Sequence, residues 1–244
     1  MALLAAFPQI AFAGPPFVTD DPEPAEFHTW EVNYAVNGSR STSGTSAYLP
    51  GADINYGAAP GVQLHLQLQM AYASGNDSAG GFRHYGAGDT ELGIKYRLTE
   101  DSEDAADWMV SLYPLVELPT GNSNRSLGAG QSSMLLPVWF QTTRGPWQFY
   151  GGGGYWLKHG AGYQNAWAAG GVLLYQFTPD LQLGGELFGS TADQVGQPGH
   201  AGFNIGGTWH LQKDYALLFS AGRGLAHVAQ TNQASAYLGV QVLY

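Results

Sequence analysis

Asp89, Glu91, Lys95 and Arg97 stand at alternating positions of "GDTELGIKYRL" (88–98). In an extended chain all four side chains leave the same face. Charges of both signs on one face suit ion pairing with neighbouring strands, or a charged constriction that filters what passes it. A dry core could not hold them unpaired. The same alternation collects Glu31, Asp53, Glu117 and Glu186 as further acids and Lys158 as a further base. One reading is a network that braces a narrow interior, the other is a permeant filter, and the two are compatible. The excess of acids favours cations over anions. The same face carries Tyr113, Trp139, Tyr150, Trp156 and Phe188, rings that can contact a ligand or fill the interior of a small barrel. It also carries the polar row Gln63, His65, Gln67 and Gln69 of "GVQLHLQLQMAYA" (61–73).

Catalytic and metal signatures are weak. The 7 histidines (His28, His65, His84, His159, His200, His210 and His227) show no HExxH spacing, and no GxSxG elbow is present. A Ser-His site on a lipid-facing wall would need a histidine such as His28, on the apolar face near the start of the first strand, but that position suits an interfacial belt residue. A metal site of His65, His200 and His210 would need distant strands brought together. Neither metal nor cofactor is expected. With no Cys there is no disulfide frame, and a formal charge of −10 opposes non-specific nucleic-acid binding.

The elements that must position these residues are strands. Val62, Leu64, Leu66, Leu68, Met70 and Tyr72 alternate with the glutamine row. Trp30, Val32, Tyr34 and Val36 alternate with Thr29, Glu31 and Asn33, and Leu92, Ile94, Tyr96 and Leu98 with Glu91, Gly93, Lys95 and Arg97. Charged residues are only 11 % of the chain, below the roughly 25 % of soluble domains. No apolar run approaches the ~20 residues of a spanning helix. Further strands fit around 49–56, 107–118, 134–140, 147–157, 167–177, 181–189, 203–211, 215–221 and "YLGVQVLY" (237–244). The expected fold is all-β: a transmembrane antiparallel β-barrel of about 12 strands, with lipid on the apolar face and a wet lumen on the polar one.

Flanking features agree. "MALLAAFPQIAFA" (1–13) ends in an A-x-A cleavage site and reads as a signal peptide, although its start has no Lys or Arg. Residues 14–26 form a Pro-rich acidic segment that either plugs the barrel or leads it from the periplasm, and 27–244 is the barrel. Short connections (57–61, 143–146, 178–180, 212–214) alternate with long polar ones (37–46, 74–87, 119–131, 191–199, 225–233), the asymmetry of periplasmic turns and external loops. The acidic turn 99–107 departs from that rule. Tyr56, Trp108, Phe140, Trp147, Phe177, Trp209 and Tyr215 cluster beside the short turns as an interfacial girdle. Pro114 and Pro137 predict a bulge or break within their strands, and "GGGG" (151–154) a close backbone approach. Terminal Tyr244, on one face with Leu238, Val240 and Val242, fits an address for the barrel assembly machinery.

"FVTDDPEP", "GDTELGIKYRL", "VELPTGN" and "FTPDLQLGGELFG" resemble the meta-pathway of phenol degradation family of outer-membrane β-barrel transporters. That resemblance implies an outer-membrane barrel, in a bacterium with two membranes, that moves small compounds, hydrophobic or aromatic ones among them. Expected partners are outer-membrane lipid, the assembly machinery and a small-molecule permeant, with both termini periplasmic and no nucleic acid. The alternatives are a barrel enzyme acting on lipid and a closed structural barrel.

Overall fold

The computed structural model describes residues 14–77, 80–99 and 108–244; the expected leader and residues 100–107 of the acidic turn lie outside them. The wall is built from β1 (Trp30–Arg40), β2 (Gly44–Ala59), β3 (Val62–Asp77), β4 (Gly80–Ala87), β5 (Thr90–Arg97), β6 (Trp108–Leu112), β7 (Leu115–Leu118), β8 (Ser133–Arg144), β9 (Trp147–Lys158), β10 (Ala166–Thr178), β11 (Leu181–Ser190), β12 (His200–Gln212), β13 (Tyr215–Ala226) and β14 (Ala234–Leu243). Neighbours in this order pair antiparallel except β4 with β5 and β6 with β7. β4 and β5 both lie against β3, opposite Met70–Asp77 and Val62–Gln67, so they are one stave interrupted at Gly88 and Asp89. β6 and β7 both lie against β8 and are one stave interrupted at Tyr113 and Pro114. Fourteen segments thus make twelve staves, and β1 pairs with both β2 and β14 to close the barrel. At that seam Trp30 and Tyr244 exchange both backbone hydrogen bonds, at 3.1 and 2.9 Å.

The wall is two-faced. Along β8, Met134, Leu136, Val138 and Phe140 are exposed while Ser133, Leu135, Pro137, Trp139 and Gln141 are buried. Along β3, Leu64 and Leu68 are exposed and Gln63 and His65 are buried. An apolar surface continued from stave to stave, through Ile94, Phe149, Leu173, Leu187, Ile205 and Leu238, is far larger than a water-facing patch normally is. It suits hydrocarbon outside and polar groups within. Exposed Trp30, Trp108, Trp147, Phe177, Trp209 and Tyr215 ring the end with the short turns. Neighbouring rings there touch, with Trp30 to Tyr56 at 4.5 Å and Trp147 to Tyr175 at 4.7 Å.

Two expectations need correction. Residues 37–40, 44–46, 74–77 and 80–87 are strand rather than long loops: β1 runs into β2 through 41–43, and Gly38 pairs with Ala47, Thr45 with Ser74 and Tyr72 with Tyr85. Their Gly, Ser and Asn content reads as loop, but a hairpin that overshoots the bilayer meets water on both faces and loses the apolar alternation. Pro137 does not break β8, which stays paired to β9 through Pro137 and Gly154. On the other side of β8 the ladder runs from Leu115–Leu135 to Leu112–Val138, leaving Pro137 opposite the interruption at Tyr113 and Pro114. The proline nitrogen therefore lies where no ladder donor is required, and its carbonyl accepts from Tyr113 at 3.3 Å. Pro114 does sit in the break expected there.

Candidate functional site

The barrel interior is occupied by the chain's own N-terminal segment, Gly14 to Glu26. Phe17 is 0 % exposed and packs with Tyr150, Val172 and Leu174 of the wall. Glu186 on β11 accepts from the backbone N–H of Val18 (3.2 Å) and Thr19 (2.5 Å), and from Asn204 Nδ2 (2.7 Å). On the opposite wall Lys95 Nζ lies 3.1 Å from Asp20 Oδ1 and 3.6 Å from Asp21 Oδ1, and donates to the Glu23 carbonyl at 3.2 Å. Ser111 and Ser220 donate to the carbonyls of Pro22 and Pro16, and the Ala25 N–H to Gln63 Oε1 at 2.7 Å. Gly170 leaves room for the segment: a Cβ there would lie 2.0 Å from Thr19 Oγ1. The segment thus has a Pro-fixed backbone and is gripped from β3, β5, β6, β11 and β13, while Thr19 Oγ1 and Asp20 Oδ2 stay without a hydrogen-bond partner.

Beneath it runs a polar network across β1, β2, β3 and β5. His65 lies between Asp53 (3.1 Å) and Glu91 (3.2 Å), and its Nδ1 also meets Asn55 Oδ1 at 2.9 Å. Gln63 Nε2 donates to Asn55 Oδ1 at 2.7 Å, and Asn55 Nδ2 to Asp53 at 3.0 Å. Asn33 Nδ2 reaches Asp53 and Glu31, both at 3.4 Å. The Tyr113 ring stands 4.8 Å from Lys95 Nζ, a cation–π contact, and edge-on to His65 at 5.7 Å. The charged groups that burial would otherwise penalise are given partners, as a low-dielectric interior requires, whereas Asn33 Oδ1 has none.

Two cavities of the lumen border the segment, one toward each end of the barrel. Val18 and Thr19 contribute to the cavity at the loop end, about 100 Å³, where Trp139, Trp156 and Phe188 face Glu91, Glu117 and Gln69. Gly14, Asp20 and Glu26 contribute to the cavity at the short-turn end, about 690 Å³, with Glu31, Asp53, Lys95, Asp214 and Tyr244.

The expected interior residues divide as follows. Glu31, Asp53, Glu91, Lys95, Gln63, His65 and Tyr113 meet in the network; Glu186 and Tyr150 hold the segment. Glu117, Gln67, Gln69, Trp139, Trp156, Lys158 and Phe188 line the loop-end cavity. Of the four charges of 88–98 expected to pair with neighbouring strands, Lys95 turns to the segment and Asp89 to a loop. Asp89 lies in the stave interruption and accepts from the backbone of Gly121 (2.8 Å) and Ala129 (2.6 Å), tying down loop 119–132. Lys158 pairs with Asp193 of a loop at 2.6 Å. The Arg97 Nε donates to nearby Thr99 at 3.3 Å. His200 meets Ser190 at 3.0 Å, and His210 lies exposed at the other end of β12, so the three histidines weighed for a metal do not converge. His28 stacks on Phe27 at 3.7 Å just before β1. Asn55, Asn204 and Ser220 join the interior without having been expected there, and Asn33 and Ser111 had only a place on the polar face; Asn55 shares its face with Asp53, a readable signal.

No family model matches the chain, and no curated protein sequence matches it, so the expected family is not borne out at the level of sequence. Solved structures do resemble it. The COG4313 outer membrane channel from Pseudomonas putida F1 superposes with a TM-score of 0.70 at 15 % identity, covering 92 % of this chain and 98 % of that one. The KdgM porin gives a TM-score of 0.59 at 13 % identity over 87 % of this chain and 98 % of its own. The NanC porin gives 0.59 at 12 % over the same shares, 87 % and 98 %. At these identities the likeness is one of fold.

Proposed function

We propose that the chain is an outer-membrane channel whose lumen is closed by residues 14–26 and which passes small molecules when that segment moves. The observation that carries this reading is the pairing of an apolar exterior with a polar, ligand-sized interior stopped by a segment with no part in the ladder. The fold it shares with channels and porins supports the same role. An enzyme acting on lipid has less support: His28 is exposed beside Phe27, and the Ser190–His200 contact at 3.0 Å lines the loop-end cavity rather than the lipid-facing wall. The rings lining the loop-end cavity favour permeants with an apolar or aromatic body. The leader 1–13 would direct export, Tyr244 would serve assembly, and both ends of the barrel chain would face the periplasm.

Planar-bilayer recording tests this. The full chain should show a low, intermittent conductance, and a chain with the leader intact but lacking residues 14–26 should conduct several-fold more. Equal conductance of the two would refute closure by the segment; a deleted chain that stays silent would refute the channel.

A further inference from the structure

Asp20 lies inside the barrel at 2 % exposure with half of its carboxylate unmet. Its Oδ1 is 3.1 Å from Lys95 Nζ, and its Oδ2 has no hydrogen-bond partner. Lys95 also serves Asp21 at 3.6 Å, so two carboxylates of the segment share one cation. A buried carboxylate oxygen without a partner is uncommon, because nothing offsets its lost hydration. It calls for a donor, best a charged one.

Gly14 packs against that carboxyl. A Cβ on Gly14 would stand 2.5 Å from Asp20 Oδ1 and 2.9 Å from Asp20 Cγ, so no side chain fits there. The Gly14 nitrogen is bonded to the same α-carbon, which places it within about 5.5 Å of Asp20 Cγ. The Gly14 carbonyl accepts from the Phe17 N–H at 3.0 Å, and Pro15 and Pro16 stiffen the turn between them, so residue 14 is held at the carboxyl. The short-turn cavity that Gly14 and Asp20 both line has Asp21, Glu23, Glu26, Glu31 and Asp53 among its acids, against Lys95 and Lys213. A positive charge at residue 14 would meet attraction from all of them.

Residue 14 is also the first after Ala11-Phe12-Ala13, an A-x-A cleavage site. Hydrolysis of the Ala13–Gly14 bond by a signal peptidase consumes one water, leaves a carboxylate on Ala13 and frees the Gly14 nitrogen as a primary amine, protonated at neutral pH. A neutral amide with one N–H becomes an ammonium with three. We infer that this α-ammonium is the missing partner of Asp20, and that removal of residues 1–13 thereby locks the segment into the lumen. Asp20 and Asp21 then face two cations, Lys95 and the chain's own end, and loss of either cation strands a carboxylate. The inference rests on the proposed leader and on closure by residues 14–26, and adds that the cut end is itself part of the lock.

The test changes the N-terminus and leaves the barrel alone. Protein isolated from outer membranes should have an intact mass that begins at Gly14. It is denatured, acetylated on its α-amine at mildly acidic pH, where the lysines stay protonated, and refolded beside an untreated sample. Asp20→Asn protein goes through the same steps, and heat-modifiable migration on gels verifies each barrel. In planar bilayers acetylation should raise the parent's open fraction about tenfold, or about 1.4 kcal/mol. It should leave the Asp20→Asn protein within about twofold of its untreated form. In the folded parent, acetic anhydride should label the α-amine about tenfold more slowly than in Asp20→Asn. A mass that begins elsewhere, an open fraction that acetylation does not move, or an equal rise in both proteins overturns the inference. Slow labelling of a protein silent with or without residues 14–26 keeps the pairing and sinks the channel. Equal labelling rates in a protein that conducts sink the pairing and spare the channel.

Discussion

Lys95→Met tests most directly what holds the lumen shut. Lys95 is 4 % exposed and Asp20 2 % exposed, and the two are 3.1 Å apart. Methionine fills much of the same volume but removes the charge, leaving the Asp20 carboxylate inside the barrel without its cation. Breaking a buried pair from one side costs about 3–5 kcal/mol, mostly from the charge left behind. Asp20 escapes that cost when the segment withdraws into water, so the whole penalty falls on the docked state. At about 1.4 kcal/mol per tenfold, the docked-to-withdrawn ratio should fall by two to three and a half orders of magnitude, roughly 10² to 4 × 10³. Planar-bilayer recording should read this as longer and more frequent openings, with the barrel's ladder untouched. Asp20→Asn combined with Lys95→Met removes both charges and should recover most of the closed time, because the stranded carboxylate is gone. A Lys95→Met protein whose open fraction stays within about twofold of the parent would refute the reasoning. So would a double variant as open as the single one.

Gly170→Val places a Cβ 2.0 Å from Thr19 Oγ1 and should expel the segment, raising conductance and protease cutting between residues 14 and 26 while gel mobility stays that of a folded barrel. Ile205→Arg, at a position 66 % exposed midway along β12, should cost about 2–4 kcal/mol of barrel stability if hydrocarbon lies there, measured by denaturant unfolding in vesicles; an unchanged midpoint would argue against a lipid-facing wall. Asp89→Asn keeps the shape but weakens the acceptors for Gly121 and Ala129, so limited proteolysis should cut loop 119–132 several-fold faster. No change in the cutting rate would mean that the loop is held by Leu127 packing on Ala71 and Ala73 instead.

The twelve staves were legible wherever hydrocarbon meets one face and polar groups the other, as at Val62 to Tyr72, because that contrast fixes the identity of every second residue. It fades beyond the bilayer, which is why Gly38, Thr45 and Ser74 fall in stretches that read as loop although each is in the ladder. Which residues point inward was likewise legible, but their partners were not. Glu91 and His65 lie 26 positions apart, Lys95 and Asp20 75, and only barrel closure brings them together. Pro137 shows the limit from another direction. Its missing donor is harmless only because the adjacent stave is interrupted opposite it, a coincidence of register that no local pattern reveals.

The stopper is a tail and not a link in the wall. Both its first described residue, Gly14, and its exit at Glu26 lie beside the short-turn cavity, and Phe27 to Thr29 tether it through the backbone of Gly57. It can therefore be drawn out like a cork on a string, parting side-chain grips and leaving every rung of the cylinder in place. The grip on the segment and the strength of the cylinder are set by separate residues, so one can vary over a wide range without endangering the other.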